Sequence, residues 1–535
     1  MNQRQYTLTI LPEGVELKGY AGDSIYTLLQ LAGLVSEQEQ QAEKFCLERG
    51  SVSPADDPEA EAAVFNAAQR TEGWFLASQR HISGDAVLRH GEQTGEEPSL
   101  YDPISAGYGL AFDLGAGTVA AGLVNLQNMN IPRICACPNS QLRLAAQREA
   151  RQSLARSAAG RAQLRGALIE DMRYLITKLS ARTGVSLDQI TVLTCAGSCL
   201  MLDLLAPVAG DSFQLRCFSC AELGLSLLEP QVQAYLLPAA GSELGADIVS
   251  SCLAADLLRK MEQPKATLLV DLGMGGEIIG AGRGRMVATS VSELPFDGHG
   301  IHYGMPASTG AIIRVEIGKR VVVKTVRDGR PQGIAGAGLL SAARAMLDAG
   351  LLDGEGRICP PAGSEAPGAA NFRSGINGRE LVLSPADHNF PQDILINQDD
   401  ILALQMAKGS VYAACQAVLH ALGCGSEEIE EILIAEAYQA HLRPRDLLQL
   451  GMIPALPPEQ AVAIGNAAWQ GAFLCLSNRH CLEEASLAAQ TIQSLDLTTD
   501  PIYAAEFIQG MHFGPQGQTP APAAKSRRLL GGERL

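Results

Sequence analysis

The sequence lacks the features that would place the protein at a membrane or on nucleic acid. No run reaches the roughly 18 apolar residues that a membrane-spanning helix needs, and the N-terminus lacks the basic and then apolar order of a secretory signal. Positive charge is scarce, because 41 Lys and Arg stand against 58 Asp and Glu, which gives a net charge of −17. That balance argues against nucleic acid as the main partner. We therefore expect a cytoplasmic protein.

Cysteine pairs at the spacing of a zinc site are also missing. The chain has 13 cysteines, and no close pair is followed by a second pair at zinc-site distance. The close pairs are Cys135 and Cys137, Cys195 and Cys199, and Cys217 and Cys220. In a large chain without an export signal, these thiols are expected to be reduced, buried and structural rather than metal ligands or disulfides.

Two glycine-rich turns, each at the end of an apolar run, are the main positive signal. The first follows residues 109–113 and the second follows residues 267–271, and each turn leads into another apolar run. This pattern predicts a strand, a turn and a second strand. Glycine lets the backbone approach a ligand, its N–H groups can point at phosphate oxygens, and a carboxylate at the strand end can hold Mg²⁺.

The turn pattern occurs twice at the scale of a domain, which predicts two homologous halves with a nucleotide between them. In this hypothesis, Asp113 and Asp271 hold Mg²⁺ or its waters. Taken alone, either turn is also compatible with an ordinary hairpin. The residues predicted to contact the nucleotide are Asp113, Gly115, Gly117, Thr118, Asp271, Gly273, Gly275, Gly276 and Glu277, with Gly336 and Gly338 from a glycine-rich helix entry.

The rest of the chain alternates strands and helices, and 535 residues are too many for one core, so two to four domains are expected. Strands are predicted at 134–137, 190–195, 286–291 and 429–435. Helices are predicted over 140–182, 241–260 and 398–422.

The first 90 residues predict a small α+β domain. Strands at 6–10 and 15–17 precede a helix over 24–32 with Asp23 as its N-cap, and two more strands follow residue 73. The layout, with its closing G-W-x-L-A-x-Q, resembles a plant-type [2Fe-2S] ferredoxin domain. Such a cluster needs four thiolates, but only Cys46 is present and Ser78 stands at the position of the last ligand. We predict a ferredoxin-like domain without a cluster, and an unrelated small module is the alternative.

The duplicated unit resembles the superfamily of actin, sugar kinases and heat-shock chaperone ATPases. Five motifs, in this order, further resemble the reductive activators of corrinoid proteins: D-L-G-M-G-G-E-I-I-G from residue 271, P-F-D-G-x-x-I-x-x-G-M-x-A-x-x-G-A-I over 295–312, G-I-A-G-A-G-L-L over 333–340, Q-x-D-I-x-x-x-Q-x-A-K over 398–408 and G-N-A-A-x-x-G-A over 465–472. The likeness runs from residue 6 to residue 513. It implies an α/β fold in which duplicated ribonuclease-H-like (actin-like ATPase) lobes follow a small ferredoxin-like (β-grasp) domain.

The resemblance also implies an activity and a partner. Family members spend ATP in returning an accidentally oxidised Co(II) corrinoid on a methyltransfer protein to Co(I). The implied partner is therefore a corrinoid protein, its methyltransferase or its activator, and a homodimer is left open. The partner-facing residues are predicted to be Glu293, Phe296, Asp297 and Met305.

One catalytic residue is implied by the same resemblance. Asp247 matches a family residue near the cleft and is the candidate to position a water for attack on a γ-phosphate. The alternative is a helix N-terminal acid that interacts with the macrodipole. His299 and His302 are interpreted as solvent- or partner-facing rather than as metal ligands.

Departures from the family pattern leave three hypotheses open. The hydroxyls of the first turn are reduced to Thr118, and the family's A-G-A-F-G on the adenosine side has become A-E-A-Y-Q, with Glu436 and Gln439 in place of glycines. The chain is either an ATP-linked activator that takes electrons from another reductase, a non-catalytic binding or scaffold relative, or a small-metabolite kinase. The last lacks a sugar-binding signature.

The predicted domains follow from these patterns. They are the ferredoxin-like domain at 1–92, a linker at 93–107, the first lobe at 108–262, the second lobe at 263–513 and a disordered tail at 514–535.

Overall fold

The computed structural model divides into two compact units, residues 1–100 and 101–535. None of the helices in its described part combines the length and the apolar character needed to cross a bilayer. The described residues are 5–11, 15–20, 23–31, 44–53, 74–77, 80–90, 102–131, 133–207, 212–273, 275–291, 294–375, 378–386, 391–436 and 441–514. The predicted tail and most of the predicted linker therefore lie outside them.

In the first unit one helix packs against a five-stranded mixed sheet of order β2-β1-β5-β3-β4, with β1 and β5 parallel. Its elements are β1 Gln5–Leu11, β2 Val15–Tyr20, α1 Ile25–Leu31, β3 Lys44–Val52, β4 Trp74–Leu76 and β5 Ile82–His90. Cys46 lies in β3, whereas Ser78 and residues 32–43 lie outside the described residues.

The predicted N-cap of α1 is wrong by one residue. Ser24 Oγ accepts a hydrogen bond from Thr27 N at 3.3 Å, as a cap does. Asp23 Oδ2 instead accepts from Tyr20 N at 2.7 Å and closes the turn before the helix.

The second unit contains two six-stranded sheets, which define its two lobes. The first lobe consists of β6 Tyr108–Leu114, β7 Thr118–Asn125, β8 Arg133–Pro138, α2 Arg148–Ala155, α3 Ala158–Thr183, β9 Ile190–Gly197, α4 Cys199–Leu205, β10 Arg216–Ser219, α5 Cys220–Leu223, β11 Gln233–Leu236, α6 Ala246–Ala254 and α7 Leu257–Lys260. Its sheet order is β10-β11-β9-β6-β7-β8.

The second lobe follows in the chain. It consists of β12 Ala266–Leu272, β13 Gly276–Gly282, β14 Arg285–Val291, β15 Ala311–Ile317, β16 Val321–Thr325, β17 Gly333–Ile334, α8 Gly336–Asp348, β18 Phe372–Gly375, β19 Gly378–Ser384, β20 Ile394–Ile396, α9 Gln398–Leu422, β21 Ile429–Ala435, α10 Pro444–Leu450, β22 Ala461–Gly465, α11 Ala467–Ser477, α12 His480–Thr491, β23 Ile492–Ser494 and α13 Pro501–Gly510. Its main sheet has the order β22-β21-β12-β13-β14-β23, and β15–β17 and β18–β20 form two three-stranded sheets.

The two main sheets repeat one topology, which confirms the predicted duplication. In each, an antiparallel hairpin and a third antiparallel strand (β6-β7-β8 or β12-β13-β14) flank two parallel strands (β9 and β11, or β21 and β22). The two glycine-rich turns join β6 to β7 and β12 to β13. Asp113 and Asp271 therefore end equivalent strands.

Two predicted helices are interrupted. The segment predicted as one helix over 140–182 contains a 3₁₀ turn at 140–143, α2 and α3, because Ser157 starts a new helix by accepting from Gly160 N through Oγ at 3.0 Å. The helix predicted over 241–260 begins only at Ala246 and breaks at Asp256, whose φ of 54° is left-handed.

One helix joins the end of the second sheet to the core of the first lobe. Trp469 and Ala472 of α11 lie in the first lobe's core, and Trp469 Nε1 donates to Ala111 O of β6 at 3.0 Å. A Cβ on Gly122 of β7 would lie 2.3 Å from the Trp469 ring, so only glycine leaves room for the indole there. The residue before α11, Asn466, is thereby held beside the end of β6.

Candidate functional site

A cavity of about 570 Å³ lies between the two lobes, within the size range of small-molecule sites. Both glycine-rich turns open onto it. The sequence-predicted residues that line it are Asp113, Gly115, Gly117, Thr118, Asp247, Asp271, Gly273, Gly275, Glu277 and Phe296. The structure thus brings together residues that the sequence placed on both halves of the chain.

The backbone of the first turn is held from one side. The buried Asn139 side chain donates through Nδ2 to Gly115 O at 3.1 Å and to Ala116 O at 3.2 Å, and its backbone N donates to Gly117 O at 2.9 Å. Arg151 Nη1 also donates to Ala116 O, at 2.6 Å. In a planar trans peptide, the N–H of each residue points away from the carbonyl of the residue before it. The N–H groups of Ala116, Gly117 and Thr118 therefore point away from Asn139. This arrangement can form a phosphate cradle even though two hydroxyls of the family pattern are missing.

In the second turn, two carboxylates face each other across the hairpin. Asp271 of β12 pairs directly with Glu277 of β13, a placement that is unfavourable when both are ionised. Gly276 does not line the cavity, contrary to the prediction. A Cβ on Gly276 would lie 2.6 Å from Val291 Cγ2, so this glycine serves packing within the sheet.

Burial raises the pKa of five of the carboxylates that line the cavity. The pKa values of Asp113, Asp271 and Glu436 are raised to about 7, that of Asp247 is raised, and that of Glu277 is raised well above its ordinary value. For Asp271, the charges of Asp113, Asp247 and Glu436 add to the effect of burial. Like charges close together in a poorly solvated space favour protonation or a bound cation.

Asn466 holds one of these carboxylates from the far end of the chain. Its Nδ2 donates to Asp113 Oδ2 at 2.8 Å, and its Oδ1 accepts from Trp469 N at 2.8 Å and caps α11. The hydrogen bond partly offsets the rise that burial causes in the Asp113 pKa. Asn466 also lines the cavity, and it was not among the predicted site residues. The only signal for Asn466 in the sequence is the motif G-N-A-A-x-x-G-A over 465–472, which contains it.

Asp247 serves the N-terminus of α6 and also lines the cavity. Its Oδ1 accepts from Ile248 N at 2.9 Å, which agrees with the interpretation as a helix N-terminal acid. The charge of Arg148 lowers the pKa of Asp247 against the rise from burial. Arg148 itself lines the cavity, pairs with Glu243 at 2.5 Å, and was also absent from the predicted site.

Glu436, which stands where the family pattern has glycine, has a structural partner. Its Oε2 accepts from Leu442 N at 2.7 Å and so ties residue 436 to residue 442. Gln439, the other departure on this side, lies outside the described residues. The Glu436 carboxylate is largely buried and lines the cavity, so it belongs to the acidic end of the site.

Gly336 and Gly338 do not line the cavity, so the structure does not bring them together with the other residues predicted to contact the nucleotide. A Cβ on Gly336 would lie 2.5 Å from Phe296 Cα, and a Cβ on Gly338 would lie 2.1 Å from Ile312 O. These glycines let α8 pack closely against the backbone of neighbouring segments.

Of the residues predicted to face a partner, the structure describes the side chains of two, Phe296 and Met305. Phe296 is buried at 7% exposure in the core of the second lobe and borders the cavity. Met305 is half-buried against a small cluster that includes Val326. Glu293 and the side chain of Asp297 lie outside the described residues.

The cysteine and histidine candidates form no metal centre among the described residues, where no group of three His, Cys, Asp or Glu side chains is placed to hold a metal ion. Burial raises the pKa of the Cys137 and Cys199 thiols, which line the cavity, to about 12. His299 and His302 are both exposed, and the backbone N of His302 donates to Asp400 Oδ1 at 2.7 Å.

Comparison with known proteins gives consistent family matches. A family model described as the C-terminal domain of RACo, the ASKHA domain, matches residues 265–525, and one described as the RACo middle region matches residues 108–260. The corrinoid activation enzyme RamQ of Eubacterium limosum is 26% identical over 427 residues, which cover 76% of this chain and 70% of that protein. A solved structure of a reductive activator for corrinoid, iron-sulfur protein matches with a TM-score of 0.71 at 20% identity, over 95% of this chain and 98% of that one. The last match concerns the fold.

Proposed function

Because the chain belongs to the family of reductive activators of corrinoid proteins, we propose that it uses ATP to help reduce the corrinoid of a partner methyltransfer protein from Co(II) to Co(I). The observation that carries the proposal is the pair Asp113 and Asp271, at equivalent strand ends on one cavity between two lobes. Co(II) gains one electron in this step, and the electron comes from a separate reductase. ATP hydrolysis supplies the free energy that drives the reduction.

The residues present fit a magnesium nucleotide. Mg²⁺ in nucleotide sites takes one or two carboxylates together with phosphate oxygens and waters, rather than a cage of protein ligands. Asp113 and Asp271 supply such carboxylates, and their raised pKa values are what a cation site produces when like charges face each other. The lack of a three-ligand group among the described residues is compatible with this mode of binding.

The chain's own residues then have separate roles. The N–H groups of the first turn, which Asn139 turns away from itself, hold phosphate oxygens. Asp113 and Asp271 hold the metal, and Asn466 keeps the Asp113 carboxylate oriented from the second lobe's end of α11. Asp247 has a second carboxylate oxygen beyond the one bonded to Ile248 N, and it orients the attacking water. Two lobes that grip one ligand can close on it and so change the surface offered to a partner.

A non-catalytic scaffold is the second candidate function. Glu436 favours it, because a largely buried carboxylate lines the cavity where the family pattern has a glycine on the adenosine side. In that case the cavity binds nucleotide without turnover, and the lobes present a partner surface.

One experiment separates these functions. A purified corrinoid-binding methyltransfer protein, held as Co(II), is incubated anaerobically with the chain, titanium(III) citrate and Mg·ATP. We expect the absorbance of Co(I) to grow with ATP and not with a non-hydrolysable analogue, together with phosphate release. Binding of Mg·ATP without phosphate release or Co(I) supports the scaffold, and absence of nucleotide binding contradicts both.

The purified protein is expected to carry no iron-sulfur cluster. Residues 1–100 contain a single cysteine, Cys46, and a [2Fe-2S] centre needs four ligands. After anaerobic reconstitution with iron and sulfide, the visible spectrum should lack charge-transfer bands, and metal analysis should find no stoichiometric iron. Stoichiometric iron together with those bands would show that the missing ligands come from elsewhere.

A further inference from the structure

The cavity extends beyond the carboxylates along a wall of opposite charge. This wall belongs to the first lobe and is made by β8 and α3. Three cationic residues on it line the cavity: Arg133 from β8, and Lys178 and Arg182 from α3. In a chain with a net charge of −17, such a wall is an exception.

The three cations form a row, because α3 runs antiparallel to β8. Asp171 near the middle of α3 accepts from Ser140 just after β8, at 2.8 Å from its N and 2.6 Å from its Oγ. β8 and β9 run in the same direction, and α3 is the crossover that connects them, so it runs antiparallel to both. Residues further along α3 therefore lie beside residues nearer the start of β8. Arg182, one turn or about 6 Å further along the helix than Lys178, lies towards the start of β8.

No described carboxylate forms an ion pair with any of these three side chains. Lys178 Nζ instead lies 5.0 Å from the ring centroid of Tyr174, which precedes it by one turn on the same helix face and is 53% exposed. The acidic groups nearby have other places: Asp171 is bonded to Ser140, and Glu243 is paired with Arg148. Glu149 also lines the cavity.

The second lobe contributes one cation to the same cavity. Arg327 lines it from the turn after β16, with an exposed side chain and a left-handed backbone at φ 56°. An L-residue adopts this backbone conformation at a cost, so the turn holds Arg327 in a conformation that is uncommon for a residue with a Cβ. An anion in this part of the cavity would meet positive charge from both lobes.

We propose that the row Arg133, Lys178 and Arg182, together with Arg327 of the second lobe, is a second anion subsite that binds a linear oligophosphate. A single phosphate can use only part of an extended row, whereas a chain of phosphates can contact all of it through charge-assisted hydrogen bonds. The proposal shares a cavity with the proposed nucleotide site but does not depend on ATP turnover.

Inorganic tripolyphosphate and orthophosphate are the probes, titrated calorimetrically in EDTA at constant ionic strength. We expect tripolyphosphate to bind at least 10-fold more tightly than orthophosphate, on the scale of one additional charge-assisted contact. In the double variant K178Q/R182Q, tripolyphosphate binding should weaken by at least 10-fold. The matched control K319Q removes one charge at an exposed turn outside the cavity and should change it less than about twofold. Unchanged melting temperatures establish that the variants are folded.

The proposal is overturned if both phosphates bind equally, or if K319Q weakens binding as much as the double variant. Tripolyphosphate should still bind when a non-hydrolysable Mg·ATP analogue saturates the protein. If the analogue displaces it, the row belongs to the nucleotide's own phosphate tail and the separate subsite is refuted. If the analogue does not bind but tripolyphosphate does, the proposed function fails and the subsite stands.

Discussion

In EDTA, the free energy of unfolding is expected to fall by roughly 2–5 kcal/mol as the pH rises from about 5 to about 7. The cause is the set of buried carboxylates in the cavity, because burial raises the pKa of Asp113, Asp271 and Glu436 to about 7. Most proteins gain or keep stability over this range, because their carboxylates have lowered pKa values when folded.

The sign follows from proton binding. These groups hold a proton more tightly in the folded protein than in the unfolded chain, where their pKa values are about 4. Their stabilising contribution is complete below pH 4 and is lost as the pH rises through 7. Two groups act in the opposite direction. Burial lowers the pKa of His441, and it lowers that of Lys408 to about 7, so the Lys408 contribution begins only near pH 7 and above.

Urea unfolding at pH 5 and pH 7 measures the effect. Mg·ATP should restore stability at pH 7, because a bound cation compensates the ionised carboxylates and a ligand of the native state stabilises it. Stability that stays flat or rises between these two pH values in EDTA would contradict the electrostatic account of the cavity.

The sequence was sufficient to predict the two hairpins and their equivalence. A strand, a glycine-rich turn and a second strand are neighbours in the chain, so apolar runs and glycines report them directly. The equivalence of Asp113 and Asp271 followed from the repeat of that local pattern. The pattern carries no information on how far the carboxylates are buried, which only the packing of both lobes sets.

Contacts between distant segments could not be predicted in the same way. Asn466 is 353 residues from Asp113, and nothing local to either residue indicates their hydrogen bond. Asn139 likewise hydrogen-bonds the first turn only because the fold brings the two segments together. The glycines at 336 and 338 are ambiguous in the sequence for another reason: a missing Cβ serves ligand approach and helix packing equally, and in the structure both glycines pack closely against Phe296 and Ile312.

The carboxylates of the cavity therefore reduce the stability of the free protein and at the same time favour the binding of a cation. Asp271 and Glu277 face each other across one hairpin, beside Asp113 and Asp247, and the ionised state of this group is unfavourable until a cation is present. Groups placed for ligand binding commonly reduce the stability of the free protein. A substitution that removes one charge but keeps the shape should expose both effects at once.

Asp271→Asn is expected to change stability and binding in opposite directions. In EDTA at pH 7, the free energy of unfolding should rise by roughly 1–3 kcal/mol, because the amide removes one of the mutually repelling charges. Asparagine can still accept the hydrogen bond from Gly273 N, so the turn is retained. Affinity for Mg·ATP should fall by roughly 1.5–3 kcal/mol, on the order of 10- to 150-fold, the scale of a lost charge-assisted contact.

Asp393→Asn is the matched control, with the same chemical change at a carboxylate outside the cavity. Asp393 accepts from Ala386 N at 2.6 Å and pairs with Arg373 at 2.5 Å, and these contacts lower its pKa. Its substitution should therefore reduce the free energy of unfolding, by roughly 0.5–1.5 kcal/mol, and leave Mg·ATP affinity unchanged. If Asp271→Asn instead destabilises the protein in EDTA and binds Mg·ATP like the wild type, the second turn is structural, and Asp271 takes no part in holding a metal nucleotide.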